Sequence, residues 1–207
     1  MMKFDLHMHT RRYSPDSIID PFELVKRAQD IGLDGIVITE HDRLWPEKEL
    51  DELRRAAPGL VVLGGVEVSG RNGDLLCYGV SNLDRLKRGT AWGELCREVH
   101  AQGGVAVAAH PYRWGQDFDG LLSEQAPLLS GLEMMSNNMD PELRRKAGRF
   151  YEKNPLFAML GNSDAHEIDV VGCCYTLFDA EIRDMPDLVQ SIQNRKARPM
   201  VRSHSPA

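Results

Sequence analysis

An α/β fold built on a mostly parallel sheet is the architecture this chain predicts, and three observations lead there. Short apolar runs alternate with longer amphipathic stretches along the whole length. Several of these runs, such as Gly35–Thr39 (GIVIT) and Val105–Ala109 (VAVAA), have the composition of strands buried on both faces. Polar residues able to do chemistry gather immediately after the apolar runs. About seven or eight βα units in a chain of 207 residues suggest a small or distorted α/β barrel. A doubly wound open sheet is the alternative, which periodicity alone does not separate from a barrel.

The elements follow in order. Phe4–His9 reads as a strand. Pro21–Ile31 reads as a helix, with Phe22, Leu24, Val25, Ala28 and Ile31 at helical spacing, Asp20 as N-cap and Gly32 as stop. Gly35–Thr39 is a strand, Glu47–Ala57 a charged helix ended by Pro58-Gly59, and Leu60–Val68 and Leu75–Val80 are further strands. Ala91–Gln102 is a helix stopped by Gly103-Gly104, and Val105–Ala109 a strand of small residues. Leu121–Leu129 is expected to be a short helix, Gly131–Met135 a strand, and Pro141–Glu152 a helix with proline in its first turn. Phe157–Leu160 and Cys174–Phe178 are strands, Pro186–Asn194 is the last helix, and Ser203–Ala207 is expected to be a disordered tail.

The apolar fraction is 42% and the charged fraction 27%, ordinary for a soluble globular protein. With 31 acidic and 25 basic residues the net charge is −6, which gives no reason to expect tight nonspecific binding of nucleic acid. A nucleotide substrate remains compatible, because bound cations would reverse the local sign. The cysteines Cys77, Cys96, Cys173 and Cys174 form no CxxC pair and read as free thiols in a reducing compartment. The N-terminus lacks the apolar core of a signal peptide, and no apolar run reaches the roughly 20 residues needed to span a bilayer. A cytoplasmic location without a membrane partner is expected.

In an α/β barrel the C-terminal ends of the strands converge on one face, so residues distant in sequence meet there. His7, His9, His41, His110 and His166 all sit at strand ends, as do Glu67, Glu133 and Asp164, and Asp74 lies on the loop after the Glu67 strand. His100 lies on an amphipathic helix and reads as a surface or packing residue, and His204 is in the tail. On a strand, residues two apart face the same way, so His7 and His9 can reach one cation. Asp164-Ala165-His166 repeats that spacing with a carboxylate. Imidazole and carboxylate donors without thiolate suit zinc, manganese or iron. The donors are too many for one ion and point to two or three. Clustered cations that activate water and clamp oxygens favour phosphoester hydrolysis over redox chemistry.

These motifs, DLHMHT (Asp5–Thr10), SPDS (Ser14–Ser17), TEHD (Thr39–Asp42), GVEVS (Gly65–Ser69), AHP (Ala109–Pro111) and NSDAH (Asn162–His166), resemble in order those of the PHP (polymerase and histidinol phosphatase) family of metal-dependent phosphoesterases. The resemblance runs from Asp5 to about Phe178 and implies a distorted (β/α)7-type, TIM-like barrel with a trinuclear metal centre. Residues 1–202 are then expected to form one PHP-type metallohydrolase domain. By position it implies that His7, His9, Glu67 and Asp164 hold a first ion. Glu67, His110 and Asp74 would hold a second, and Asp16, His41 and His166 a third, with a metal-bound hydroxide attacking phosphorus. Asp74 stands where many members have histidine; it can bind a hard cation, or it can be a turn residue after Gly73.

Glu133 reads as an acid that supports the ligands or lies in the barrel interior, with a ligand role as the alternative, and Glu40 and Asp42 as acceptors orienting His41. Arg113 and Arg11 are candidate phosphate-binding residues, with Arg12 and Arg71 on loops of the same face; each can equally be an ordinary surface cation. Tyr112 and Trp114 could wall a pocket or pack. The functional expectation is hydrolysis of a small phosphomonoester or a nucleotide. The alternatives are a nuclease-type phosphodiesterase acting on DNA or RNA ends and a non-catalytic metal-binding regulatory domain. The filled ligand positions argue against the last, and the lack of a basic stripe argues for small substrates.

Overall fold

The computed structural model describes residues 1–115, 118, 120, 128–153 and 155–202. The helix expected over Leu121–Leu129 falls mainly outside the described residues, as do the tail Ser203–Ala207 and His204 within it.

Among the described residues, ten strands divide between two five-stranded sheets. The first contains β1 (Met2–Asp5), β2 (Gly35–Ile38), β3 (Val61–Gly64), β9 (Cys174–Phe178) and β10 (Ala197–Val201), in the order β10-β9-β1-β2-β3. The second runs β4 (Val66–Gly70), β5 (Gly73–Tyr78), β6 (Val105–Ala108), β7 (Gly131–Met135) and β8 (Ala158–Gly161) in sequence order. Two isolated bridges, Met8 to Ala165 and His41 to Glu67, link the sheets at one end. Among the described residues no continuous ladder closes the two sheets into one ring. The expected mixed α/β architecture is present.

The sheet is less parallel than expected. The pairs β1–β2, β2–β3, β6–β7 and β7–β8 are parallel, but β4–β5, β5–β6, β1–β9 and β9–β10 are antiparallel. The expected strand Leu60–Val68 is two strands in different sheets, split at Gly65. A side chain at Gly65 would be crowded: a Cβ would lie 3.0 Å from both Tyr78 and Val37. Strand β4 then returns through a tight hairpin as β5, with Gly73 at φ 132° at the turn. Strand β10 was not expected, because Arg198 and Pro199 interrupt any apolar run there. It is an edge strand, the place where proline is tolerated.

Side-chain alternation sorts each strand between two layers. Val37, Leu63, Leu76, Tyr78, Val105, Val107, Leu160 and Phe178 turn inward and pack with Phe4 in a core shared by both sheets. Their neighbours face helices. Ile36 and Ile38 pack on α1 (Pro21–Asp30) and α2 (Glu47–Ala56); Ala106 and Ala108 pack in the layer with α3 (Trp92–Ala101) and α4 (Pro141–Lys153). Helix α5 (Met185–Gln193) covers the shared core through Leu188, Val189 and Ile192.

Helix α1 starts as its sequence predicts. The Asp20 carboxylate accepts from the amides of Phe22 and Glu23, and Gly32 follows the helix at φ 74°. Phe22, however, points outward and is half exposed, so it does not belong to the buried stripe. No helix among the described residues is long and apolar enough to cross a membrane. All four cysteines are free thiols.

Candidate metal centre

Strand β1 ends at Asp5, short of the expected His9, yet the chain stays extended and tied down beyond it. The Asp164 amide donates to the His7 carbonyl at 2.8 Å, and the His9 amide to the Ala165 carbonyl at 3.0 Å. Both histidines therefore face the same way, as the alternation predicts. Their Nε2 atoms lie 3.1 Å apart.

The remaining groups arrive from five strand ends. Glu67 comes from β4, His41 follows β2, His110 follows β6, and Asp164 and His166 follow β8. Asp74 lies at the start of β5, and it reaches the same end because β5 runs antiparallel to β4 and β6. His110 and Asp164 adopt positive φ, 25° and 51°, conformations that non-glycine residues take only when their surroundings enforce them.

His7 Nε2 is 3.2 Å from Asp164 Oδ1 and 3.4 Å from Glu67 Oε1. His9 Nε2 is 3.4 Å from both Asp164 Oδ1 and Glu67 Oε2. His110 Nε2 is 3.1 Å from Glu67 Oε1 but 4.0 Å from Asp74 Oδ2, so Asp74 is the loosest member. His41 Nδ1 is 2.8 Å from Glu67 Oε2, and Asp16 Oδ2 sits 3.1 Å from His41 Nε2 and 3.4 Å from His166 Nε2. The His9 ring lies against those of both His41 and His166, with centroids 4.2 and 4.4 Å away, and the latter two rings are 5.9 Å apart. Among the described residues, three groups bring possible ligand atoms within 4.8 Å of one another: His7, His9 and Asp164; His7, Glu67 and His110; and His9, His41 and His166.

The surrounding hydrogen bonds determine which nitrogen each ring presents. Ser14 Oγ donates to Glu40 at 2.5 Å, so it accepts from His9 Nδ1 at 3.3 Å. His7 Nδ1 faces the Glu133 carboxylate at 3.1 Å and donates to it. With Nδ1 protonated on both rings, their Nε2 atoms point at each other and at two carboxylates, so the pair calls for a proton or a cation between them. Only a positive charge can hold such an arrangement in a buried place.

The carboxylates accordingly shift the imidazoles. Burial opposes protonation of His7, but Asp164, Glu67 and Glu133 outweigh it and hold its pKa well above the ordinary value. Burial likewise opposes charge on His41, which Glu67 and Asp16 lift to about 9. His9 goes the other way: burial lowers it, aided by repulsion from His7 and His41. Burial would raise Glu67 and Asp164, but the neighbouring imidazoles hold both below their usual range, with His7 the largest influence on each. Burial, with Glu67 nearby, pushes Asp74 up.

A cation suits this donor set. Zinc–nitrogen and zinc–oxygen bonds of about 2.0–2.2 Å put neighbouring tetrahedral ligands roughly 3.3–3.5 Å apart, close to the separations among His7, His9, Glu67 and Asp164.

Other expected residues resolve differently. Glu133 holds the histidines from behind: its Oε2 accepts from the His110 amide at 2.7 Å and its Oε1 from Asn162 Nδ2 at 2.9 Å. Among the described residues, the hydrogen bonds of the Glu40 and Asp42 carboxylates go to groups other than the His41 ring. Glu40 gathers Thr10, Ser14 and Trp45, and Asp42 accepts from the Ser69 amide. Arg113 Nη1 lies 3.3 Å from Asp164 Oδ2 at the rim of the centre. Arg11 is paired with Asp20 at 2.6 Å and lines a separate cavity with Arg12 and Trp45. Tyr112 is buried in the core, and His100 is exposed on α3. Asn138 was not anticipated; its Nδ2 donates to Asp164 Oδ2 at 2.6 Å. It follows strand β7, so attention to every strand end would have found it.

The PHP domain family model matches residues 5–154, and a PHP-associated model matches residues 141–197. An uncharacterized protein of Methanocaldococcus jannaschii is 31% identical over 121 residues, 54% of this chain and 68% of that protein. A crystal structure from Bacteroides vulgatus, of a two-domain protein containing a predicted PHP-like metal-dependent phosphoesterase, superposes with a TM-score of 0.75 at 22% identity. It matches 97% of this chain, which spans only 64% of that protein's length. The lesion-specific endonuclease EndoQ of Pyrococcus furiosus superposes with a TM-score of 0.63 at 14% identity, covering 93% of this chain and 56% of the endonuclease. At these identities the structural likenesses speak to the fold.

Proposed function

This chain belongs to the PHP domain family, and from that premise we propose that it is a metal-dependent phosphoesterase hydrolysing a small phosphomonoester or a nucleotide at a centre of two or three divalent ions. The observation that carries the reading is the convergence of the His7 and His9 Nε2 atoms, 3.1 Å apart and faced by Asp164 and Glu67. In this reading residues 1–202 act as one metallohydrolase unit, and the two sheets are the halves of a distorted barrel. His7, His9, Glu67 and Asp164 hold a first ion; Glu67, His110 and Asp74 a second; Asp16, His41 and His166 a third. Zinc, manganese and iron all accept such nitrogen and oxygen donors.

When bound, the ions supply Lewis acidity to phosphoryl oxygens and lower the pKa of coordinated water. The chain's own residues do the rest. Glu133 and Ser14 keep His7 and His9 in the tautomers that present Nε2. Glu67 stands between His7, His41 and His110, as a bridging carboxylate must. Arg113, a quarter exposed beside Asp164, is placed to take phosphate oxygens with its planar fork. Arg11 is held by Asp20 and has the weaker claim to that role.

A nuclease-type reading has one supporting observation, the fold shared with an endonuclease. The net charge of −6 favours the small substrate. Metal content of the purified protein, paired with hydrolysis of p-nitrophenyl phosphate and its bis-ester with and without manganese, tests both. Two or three metal equivalents with metal-dependent turnover of the monoester are expected. Preference for the bis-ester would favour the nuclease reading, and a protein that took up no metal would end the proposal.

A further inference from the structure

A cavity of about 550 Å³ lies beside the metal-ligating cluster, walled by the β4–β5 hairpin (Ser69 to Asp74), by Arg88 and Gly89, and by Trp114. It is joined to the cluster at two points. Asp74 lines the cavity and places Oδ2 4.0 Å from His110 Nε2. Trp114 carries the Arg113 guanidinium over its ring at 4.6 Å, and Arg113 in turn reaches Asp164 at 3.3 Å.

Its lining suits a ligand. Trp114 is 67% exposed, whereas Trp45 and Trp92 are buried. Burial normally rewards so large a ring, and here the indole is presented at a cavity wall beside the Arg113 guanidinium, a surface that a planar ligand ring can join. Arg71 and Arg88 are exposed on the same wall, and neither forms an ion pair with a carboxylate among the described residues. The Arg71 side chain is steadied by donating Nε to the Gly89 carbonyl at 3.3 Å. The larger cavity of about 730 Å³ between α1 and α2 differs on this point. Its arginines are neutralised, Arg11 by Asp20 and Arg12 by Glu49, and Glu52 adds a further negative charge.

We propose that the cavity beside Asp74 is the subsite for the leaving group of the ester, and that it selects a leaving group with a planar ring and an anionic substituent, as in a nucleotide. The ring stacks on Trp114 and the anion is held by Arg71 and Arg88, while the scissile phosphate lies toward Asp164 and Arg113. This rests on the phosphoesterase reading.

The test uses the full-length protein as purified, with EDTA added to prevent turnover. Tryptophan fluorescence, excited at wavelengths where adenine does not absorb, reports on Trp114 as the exposed indole. ADP supplies ring and charge, adenosine the ring alone, and pyrophosphate the charge alone. Saturable quenching by ADP is expected, with adenosine and pyrophosphate each binding at least about tenfold more weakly. The double variant R71Q/R88Q, altered only at exposed positions, should bind ADP about tenfold more weakly. Absence of saturable quenching, or ADP binding indifferent to R71Q/R88Q, would overturn the proposal. Hydrolysis of p-nitrophenyl phosphate by the manganese-loaded protein reads the phosphoesterase assignment separately. Turnover without ADP binding would overturn the subsite alone. ADP binding without any turnover would remove the phosphoesterase reading, and the leaving-group role with it.

Discussion

Glu133 ties two imidazole residues of the centre together: one carboxylate oxygen lies 3.1 Å from His7 Nδ1, and the other accepts the His110 amide at 2.7 Å. A carboxylate behind a ligating histidine fixes the ring's tautomer and direction, and its loss typically weakens metal affinity by about 10–100-fold. Glu133→Gln keeps the size but removes the charge that orients the His7 ring. Manganese titration followed by calorimetry should show affinity reduced by about tenfold or more. Unchanged affinity would mean that His7 is positioned by something else.

Removal of metal should cost stability. With metal at about a hundred times its dissociation constant, binding stabilises the folded chain by about 2.7 kcal/mol. In a protein of this size that corresponds to about 5–10 °C in Tm. Differential scanning fluorimetry with manganese and then EDTA checks this. The double variant H7A/D164A should lose the response to metal; a response of full size in that variant would move the binding site elsewhere.

Asp74 is the outlying member, 4.0 Å from His110 and a quarter exposed. Asp74→Ala should lower the metal content by one equivalent while retaining the ion at His7 and His9. Asp74→His should restore that equivalent and shift preference toward zinc, since imidazole is a softer donor than carboxylate. Equal metal content in the wild type and Asp74→Ala would make Asp74 only a hairpin residue and cavity wall.

Arg113 sits on the rim with its guanidinium toward Asp164. If it clamps phosphate, Arg113→Ala should reduce kcat/KM by about 10–100-fold, and Arg113→Lys should recover little of it, because a lysine lacks the planar fork. Steady-state kinetics on p-nitrophenyl phosphate, with metal content measured on the same samples, distinguishes lost substrate contact from lost metal. Full activity in Arg113→Ala would assign phosphate binding to another group.

Gly35 tests the packing that holds β1 against β2. A Cβ there would lie 2.2 Å from the Phe4 ring, which is fully buried in the shared core. Gly35→Ala should destabilise the chain by about 1–3 kcal/mol or more, read as a lower urea midpoint. An unchanged midpoint would show that the shared core yields more easily than its packing suggests.

The sequence by itself determined the order of the elements apart from β10 and the β3–β4 break, the cap and stop of α1, and most of the imidazoles and carboxylates that gather at one end. Each of these is a local matter: a side chain two residues from its neighbour on an extended chain, a carboxylate before a helix, a polar residue following an apolar run. His7 and His9 could be paired from alternation alone, and their Nε2 atoms do meet. The tertiary structure alone decided how the strands divide between two sheets, because Gly64-Gly65 carries no periodicity to show that β3 ends there and that β4 begins in the other sheet. It likewise decided that β5 runs antiparallel, which brings Asp74 to the ligand end, and that β10 pairs at the edge despite its proline. Arg11 and Arg113 look alike as loop arginines. Only their partners, Asp20 for one and Asp164 for the other, set them apart, because a charged side chain's role depends on which opposite charge the fold brings within reach.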